Sequence, residues 1–428
     1  MTVAQGPPAS ARAAPPPAGP DRPPAAADPR LALVRLVVGA ALVVALAVAT
    51  HAVPVLIVVV ALVVMVMLHE LGHLLTAKLG HMKVTEYFLG FGPRLWSIRR
   101  GETEYGVKAI PAGGYVKILG MTSAEEVDPA DEPRTYRQQP FRYRLLVAVA
   151  GSAMHAVMAF VLLWGMFVFF GAPQGNAVAV TALAPFDHGL DPARAAGLRA
   201  GDIVRSVDGK AVHDPTDLQR AIQGDVGRPL TVVVDRGGST RTLTVTPAAD
   251  RSGTRTSGHI GVVIGAPVET SGPLAAVPQA GRLFGRIVSG TIGGLGQVFS
   301  VSGIRGYVHD LTNAQAAAHA AKTGNRISSI YGAGRIAVES AKVGAYDLIY
   351  VLASIIVIVG LINLFPMLPL DGGHVLIAVY ERVRSRRGRP YHADVTKLTP
   401  VAYAFVLLLG FIVVSALYLD ITHPVSLQ

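Results

Sequence analysis

The sequence predicts an α-helical multi-pass membrane protein of about five transmembrane helices, with a membrane-associated β-hairpin region and an inserted α+β domain outside the membrane. Three observations carry this. Of 428 residues, 51% are hydrophobic and 15% charged, with a mean hydropathy of +0.44, which is more apolar surface than a water-soluble domain of this size buries. The excess is gathered in long runs nearly free of charge, as in helices solvated by lipid. Basic residues sit largely beside those runs, where they orient helices and meet anionic headgroups. The net charge of +10 therefore calls for membrane lipid rather than nucleic acid as a partner. Cysteine is absent, which excludes disulfides, thiolate metal sites and a thiol nucleophile. Any metal must be held by His, Asp or Glu.

Residues 1–30, mostly Pro, Ala and Gly, cannot bury a core and read as a disordered tail. An additional transmembrane helix is expected over 31–50, interrupted only by Arg35; the small residues Ala47-Val48-Ala49 leave open a signal peptide instead. A short connector ending in Pro54, which suits the first turn of a helix, leads to a second span over 55–80. Residues 84–119 have apolar-alternating arms around the turn Arg100-Gly101-Glu102 and read as a β-hairpin region. Further spans are expected over 145–170, 346–374 and 400–420.

Between them, residues 176–268 alternate β-branched runs, such as Thr231-Val232-Val233-Val234, with Gly-containing turns and one helical stretch from Pro215 to Ile222, an α+β domain. Residues 273–345, rich in Ala, Gly and Ser, are expected to form helices outside or on the membrane surface. Orientation follows from Lys and Arg. Residues 81–144 carry ten, and Arg382, Arg384, Arg386, Arg387, Arg389 and Lys397 follow the fourth span, whereas the 51–54 connector and the tail after Asp420 carry none. The basic segments belong in the cytoplasm, and the long segment 171–345 lies outside, since segments of that length cross regardless of charge.

The second span ends in His69-Glu70-Leu71-Gly72-His73. At about 100° per residue the two histidines and Glu70 share one helix face. Two imidazoles one turn apart can ligate the same zinc ion, with Glu70 close enough to accept a proton from a water that the metal activates. In a soluble helix this pattern often arises by chance. In an apolar span each charged group near the centre costs on the order of 2.5–3.5 kcal/mol, so such groups persist chiefly where they pair, ligate or line a wet cavity. A catalytic zinc site needs a third protein ligand. In the fourth span Pro366 and Pro369 interrupt the helix and Asp371 follows, with Gly372 and Gly373 behind it. Asp371 either completes the site or merely starts the cytoplasmic loop. Both half-sites fall at the cytoplasmic ends of inward-running spans, which favours the first.

These residues resemble the site-2 protease family of intramembrane zinc metalloproteases, particularly the bacterial members that cut membrane-anchored anti-sigma factors. The resemblance also rests on Gly90-Phe91-Gly92, Pro111-Ala112-Gly113-Gly114-Tyr115-Val116 and the Asn-x-x-Pro-x-x-Pro-x-Asp-Gly run at 363–372. It implies that His69, His73 and Asp371 ligate Zn²⁺, that Glu70 is catalytic, and that Asn363 lies near the substrate or the developing oxyanion. It also implies that the hairpin presents a strand edge to an unwound substrate; a solvated cytosolic hairpin is the alternative. Ala195-Ala196-Gly197-Leu198-Arg199-Ala200-Gly201-Asp202-Ile203-Val204 and Val207-Asp208-Gly209-Lys210 match a PDZ signature, so the outer domain is expected to be PDZ-like. It would bind a cleaved tail or exclude a bulky uncut substrate.

One departure is Gly151-Ser152-Ala153-Met154-His155, where many family members end in Asn. His155 either keeps a polar substrate contact or is a satisfied interior histidine. The first span and its tail are not explained by the resemblance. The expected activity is that of an intramembrane zinc endopeptidase acting on single-span membrane proteins, anti-sigma factors or similar regulators. It would sit in the plasma or inner membrane, with the active site toward the cytoplasmic leaflet. The rival from another class is a catalytically inactive PDZ-containing membrane scaffold. A metal-dependent transporter is a third reading, disfavoured because no repeated half is visible.

Overall fold

The structure, a computed structural model, describes residues 29–121, 126–173, 177–184, 191–250, 257–323, 326–385, 391 and 393–424. The expected tail, except for its last two residues, lies outside the described residues, as do Arg386, Arg387 and Arg389. Among the described residues five helices are long and apolar enough to cross a membrane. The chain runs through α1 (Pro29–Ala49), α2 (Val53–Leu79), β1 (Val84–Arg100), β2 (Thr103–Ile118) and α3 (Phe141–Gly165), the last continued by a π-helical turn Met166–Phe170. The connector before α2 is short, and Pro54 stands in its first turn, where a missing N–H goes unneeded.

β1 and β2 pair antiparallel across a two-residue turn, with Gly101 in the left-handed region at φ 62° and Arg100 opposite Thr103. The two long strands of this ribbon fold back so that residues 86–89 pair with 114–117 on one side and 104–107 on the other, and the sheet lies on α2: a Cβ at Gly114 would stand 3.0 Å from Met67 Sδ. The Tyr87 hydroxyl donates to the Met67 carbonyl at 2.7 Å. Leu74, Ala77, Met82, Val84, Ile118, Tyr136 and Val147 form the cluster that seats the ribbon's base against α2 and α3.

Next come β3 (Ala172–Pro173), β4 (Val178–Leu183), α4 (Pro192–Ala195), β5 (Ile203–Val207), β6 (Lys210–Ala211), α5 (Pro215–Gln223), β7 (Leu230–Arg236), β8 (Ser239–Val245), β9 (Ala248–Asp250), β10 (Ser257–His259), β11 (Val262–Gly265) and β12 (Val268–Glu269). β11-β4-β5-β7-β8 form an antiparallel sheet with β6 added to β5. Val178, Val180, Val204, Val232, Val234 and Val245 pack under Ala193, Leu218 and Ile222 of the two helices. The pairing of β3 with β12 brings the entrance and exit of this unit together, as suits a domain inserted into a helical framework.

The remaining elements are α6 (Pro273–Val298), α7 (Val301–Thr312), α8 (Ala314–Thr323), α9 (Ile330–Val343), α10 (Ala345–Asn363), α11 (Asp371–Arg384) and α12 (Thr399–Thr422). Two features of this half give detail to the sequence expectation. Residues 273–298 do not lie apart: Ala276, Ala280, Leu283 and Ile287 recur at helical spacing and pack with Met158, Leu163, Ala353 and Ile356 of α3 and α10. α6 and α7, bent by 72° at their break, together meet the length and composition of a sixth, broken span. The stretch 346–374 is interrupted, as Pro366 and Pro369 imply in the sequence. α10 stops at Asn363, and Asp371 opens α11. Pro366 and Pro369 deny the intervening turns their donors, and the backbone of 364–368 folds back onto Gly372 and Gly373, where a Cβ at 373 would stand 2.7 Å from the Leu368 nitrogen.

Candidate active site

The spacing of His69 and His73 on α2 brings their Nε2 atoms to 3.2 Å, and Asp371 Oδ2, arriving at the start of α11, lies 3.4 Å from each. A tetrahedral zinc with ligand bonds of about 2.0–2.1 Å requires donor-to-donor edges of roughly 3.3–3.4 Å. The triangle's edges of 3.2, 3.4 and 3.4 Å are close to those values, and Asp371 Oδ2 is a buried acceptor without a hydrogen-bond partner. The residues therefore fit the ion. Among the described residues, His69, His73 and Asp371 are the group that can hold a metal.

α3 makes room for this meeting and orients part of it. A side chain at Gly151 would put its Cβ 2.6 Å from His73 Nε2 and against the His69 ring, so only glycine admits the pair. His73 Nδ1 lies 2.8 Å from the Val147 carbonyl, an acceptor only, which fixes the proton on Nδ1 and leaves Nε2 for the site. Glu70, partly buried, lies close to the backbone of Val116 on β2 and stands near both His73 and Asp371. The ribbon thus flanks the carboxylate that the sequence singled out.

His155 is 2% exposed, with its ring centroid 5.1 Å from that of His69. Its Nδ1 is buried without a partner. Asn363 is the last residue of α10, half-buried, and its side chain makes no hydrogen bond among the described residues. Sequence reasoning missed Val147 and Val116, which meet the site through backbone atoms and leave no residue-type signal. It also missed the buried ion pair between Arg144 and Glu381, which are far apart in sequence.

Apolar helices enclosing two histidines and a carboxylate at zinc-ligand spacing define a metalloprotease-like centre in a multi-pass membrane protein. The model of peptidase family M50 matches residues 57–409, and the chain belongs to this family, that of the site-2 proteases. The zinc metalloprotease Rip1 of Mycobacterium tuberculosis is 33% identical over 405 residues, covering 86% of this chain and 96% of that protein. Rip1 of Mycolicibacterium smegmatis is 33% identical over 401 residues, covering 86% and 97%. A putative zinc metalloprotease of Clostridium perfringens is 27% identical over 361 residues, covering 84% and 96%. The protein is a zinc metalloendopeptidase of the site-2 protease type, and its cofactor is Zn²⁺. The scaffold reading falls with that membership.

Proposed function

We propose that this endopeptidase hydrolyses a peptide bond within or beside the transmembrane segment of a single-span membrane protein, an anti-sigma factor or similar regulator, with His69, His73 and Asp371 holding zinc. The observation that carries the assignment is the donor triangle of 3.2, 3.4 and 3.4 Å. Zinc there supplies Lewis acidity toward a water and toward the scissile carbonyl. Glu70 accepts the proton of the attacking water and returns it to the departing amine, a role supported by its place beside His73 and Asp371. Asn363 and the unpartnered Nδ1 of His155 are polar contacts for the bound chain.

A transmembrane helix hides its peptide bonds, so the substrate must unwind, and pairing with the ribbon edge compensates its freed backbone groups. Among the described residues the outer segments 94–100 and 114–118 of the folded β1–β2 sheet pair on one side only, which leaves an edge for this. The inserted sheet domain is read as a PDZ-like module outside the membrane that binds a cleaved tail or excludes an uncut substrate. The loop charges support an active site facing the cytoplasmic leaflet. Replacing Glu70→Gln tests the reading: cleavage of a tagged single-span substrate is lost while protein level and zinc content are retained. Unchanged cleavage overturns the role of Glu70.

A further inference from the structure

Asp371 is the first residue of α11, and the chain before it, 364–370, is irregular. Its carboxylate can stay within 3.4 Å of both imidazoles only if α11 is held in axial and rotational register. A slip of one residue moves a helix by about 1.5 Å and 100°. Near the far end of α11, Glu381 Oε2 meets Arg144 Nη1 of α3 at 2.6 Å, with side chains 7% and 11% exposed. Its other oxygen accepts the Ala393 N–H at 2.7 Å, tying down the chain that follows the helix.

Arg144 is itself fixed. Its guanidinium lies 5.2 Å from the Tyr136 ring, the Tyr136 hydroxyl donates to the Arg144 carbonyl at 3.2 Å, and the Tyr136 N–H donates to Leu119 at the ribbon's base at 2.9 Å. One turn further along α3, the Val147 carbonyl holds His73. The first turns of α3 therefore touch both the imidazole pair and the helix that delivers the carboxylate.

We infer that Arg144 and Glu381 are positioning residues: their buried ion pair sets α11 against α3 so that Asp371 reaches His69 and His73. Buried charge pairs are costly to desolvate and are best attested as devices that fix register. The inference rests on Asp371 being a zinc ligand.

The test measures zinc affinity by competition with a chromophoric chelator on purified full-length protein, together with thermal stability. E381Q and R144M weaken zinc binding by about 10- to 100-fold, and R144K, which keeps the charge, stays close to wild type. Where a single variant fails to fold, R144M/E381L leaves no unpaired charge and shows the same weakening. D420N, which disturbs another buried pair, Arg326–Asp420, lowers stability without changing zinc affinity. Wild-type zinc affinity in folded E381Q and R144M/E381L, with stability alone reduced, assigns a merely structural role and overturns the inference. D371A separates the two layers: if it binds zinc like wild type, the underlying ligand assignment falls, and the inference with it.

Discussion

His73 Nδ1 faces the Val147 carbonyl at 2.8 Å, and that one contact decides which nitrogen the imidazole turns toward His69 and Asp371. The bond costs α3 nothing in side chains, because it uses a backbone group. It also makes the distance between α2 and α3 part of the metal site.

That distance depends on Gly151. Gly151→Ala places a methyl 2.6 Å from His73 Nε2 and forces the helices or the imidazoles apart. Zinc affinity of the purified variant, read by chelator competition, falls by at least about tenfold. Gly410→Ala on α12, where a Cβ meets nothing within 4 Å, leaves it unchanged.

Asp420 should matter for stability instead of chemistry. Its carboxylate, 2% exposed, accepts from Arg326 at 2.5 Å and from the Ser329 amide and hydroxyl, each at 2.7 Å, joining α12 to the segment before α9. Asp420→Ala strands the Arg326 guanidinium in the interior and costs about 3–5 kcal/mol. Thermal inactivation at a temperature the wild type survives checks this, with zinc content of the folded fraction unaltered.

The inserted domain has a pH dependence of its own. Burial pushes the Asp202 carboxyl upward, but bonds from the Arg236 guanidinium and the Arg199 amide outweigh it and hold the group below its ordinary value. A lowered folded-state value means that this stabilisation is complete above about pH 3.9 and is lost as pH falls through the lower folded value. Hydrogen exchange in β5 and β7 should accelerate over that acid range in the wild type. In Asp202→Asn it is faster already near neutrality, and this acid step is missing.

Much of the centre was legible because it is written locally. The histidine spacing fixes a helix face, and two prolines followed by Asp-Gly-Gly announce a broken span with a carboxylate behind it. The turn at Gly101 and the helix at 215–222 were likewise encoded by nearby residues. What stayed hidden depends on packing between distant segments. The small residues of α6 carry no charge pattern to separate a surface helix from one packed on α3 and α10, and only the structure shows Ala276 and Ala280 wholly buried. Nothing near Asp371 in sequence says that a new helix begins there and runs along α3, or that Glu381 finds Arg144. His155 could be flagged from its motif, yet its contact with the His69 ring required coordinates.

Chelation should give a reversible loss. Removing zinc from the purified protein abolishes cleavage of a single-span substrate, and restoring the ion to about one per chain recovers it. Recovery without zinc would point to chemistry that does not need the triad.

Zinc-edge X-ray absorption on the purified protein and on Asp371→Ala tests the ligand set most directly. The proposed site yields two imidazoles and oxygen ligation at about 2.0–2.1 Å, with the oxygen shell altered and zinc more weakly held in the variant. An identical coordination shell and undiminished zinc affinity in Asp371→Ala would contradict it.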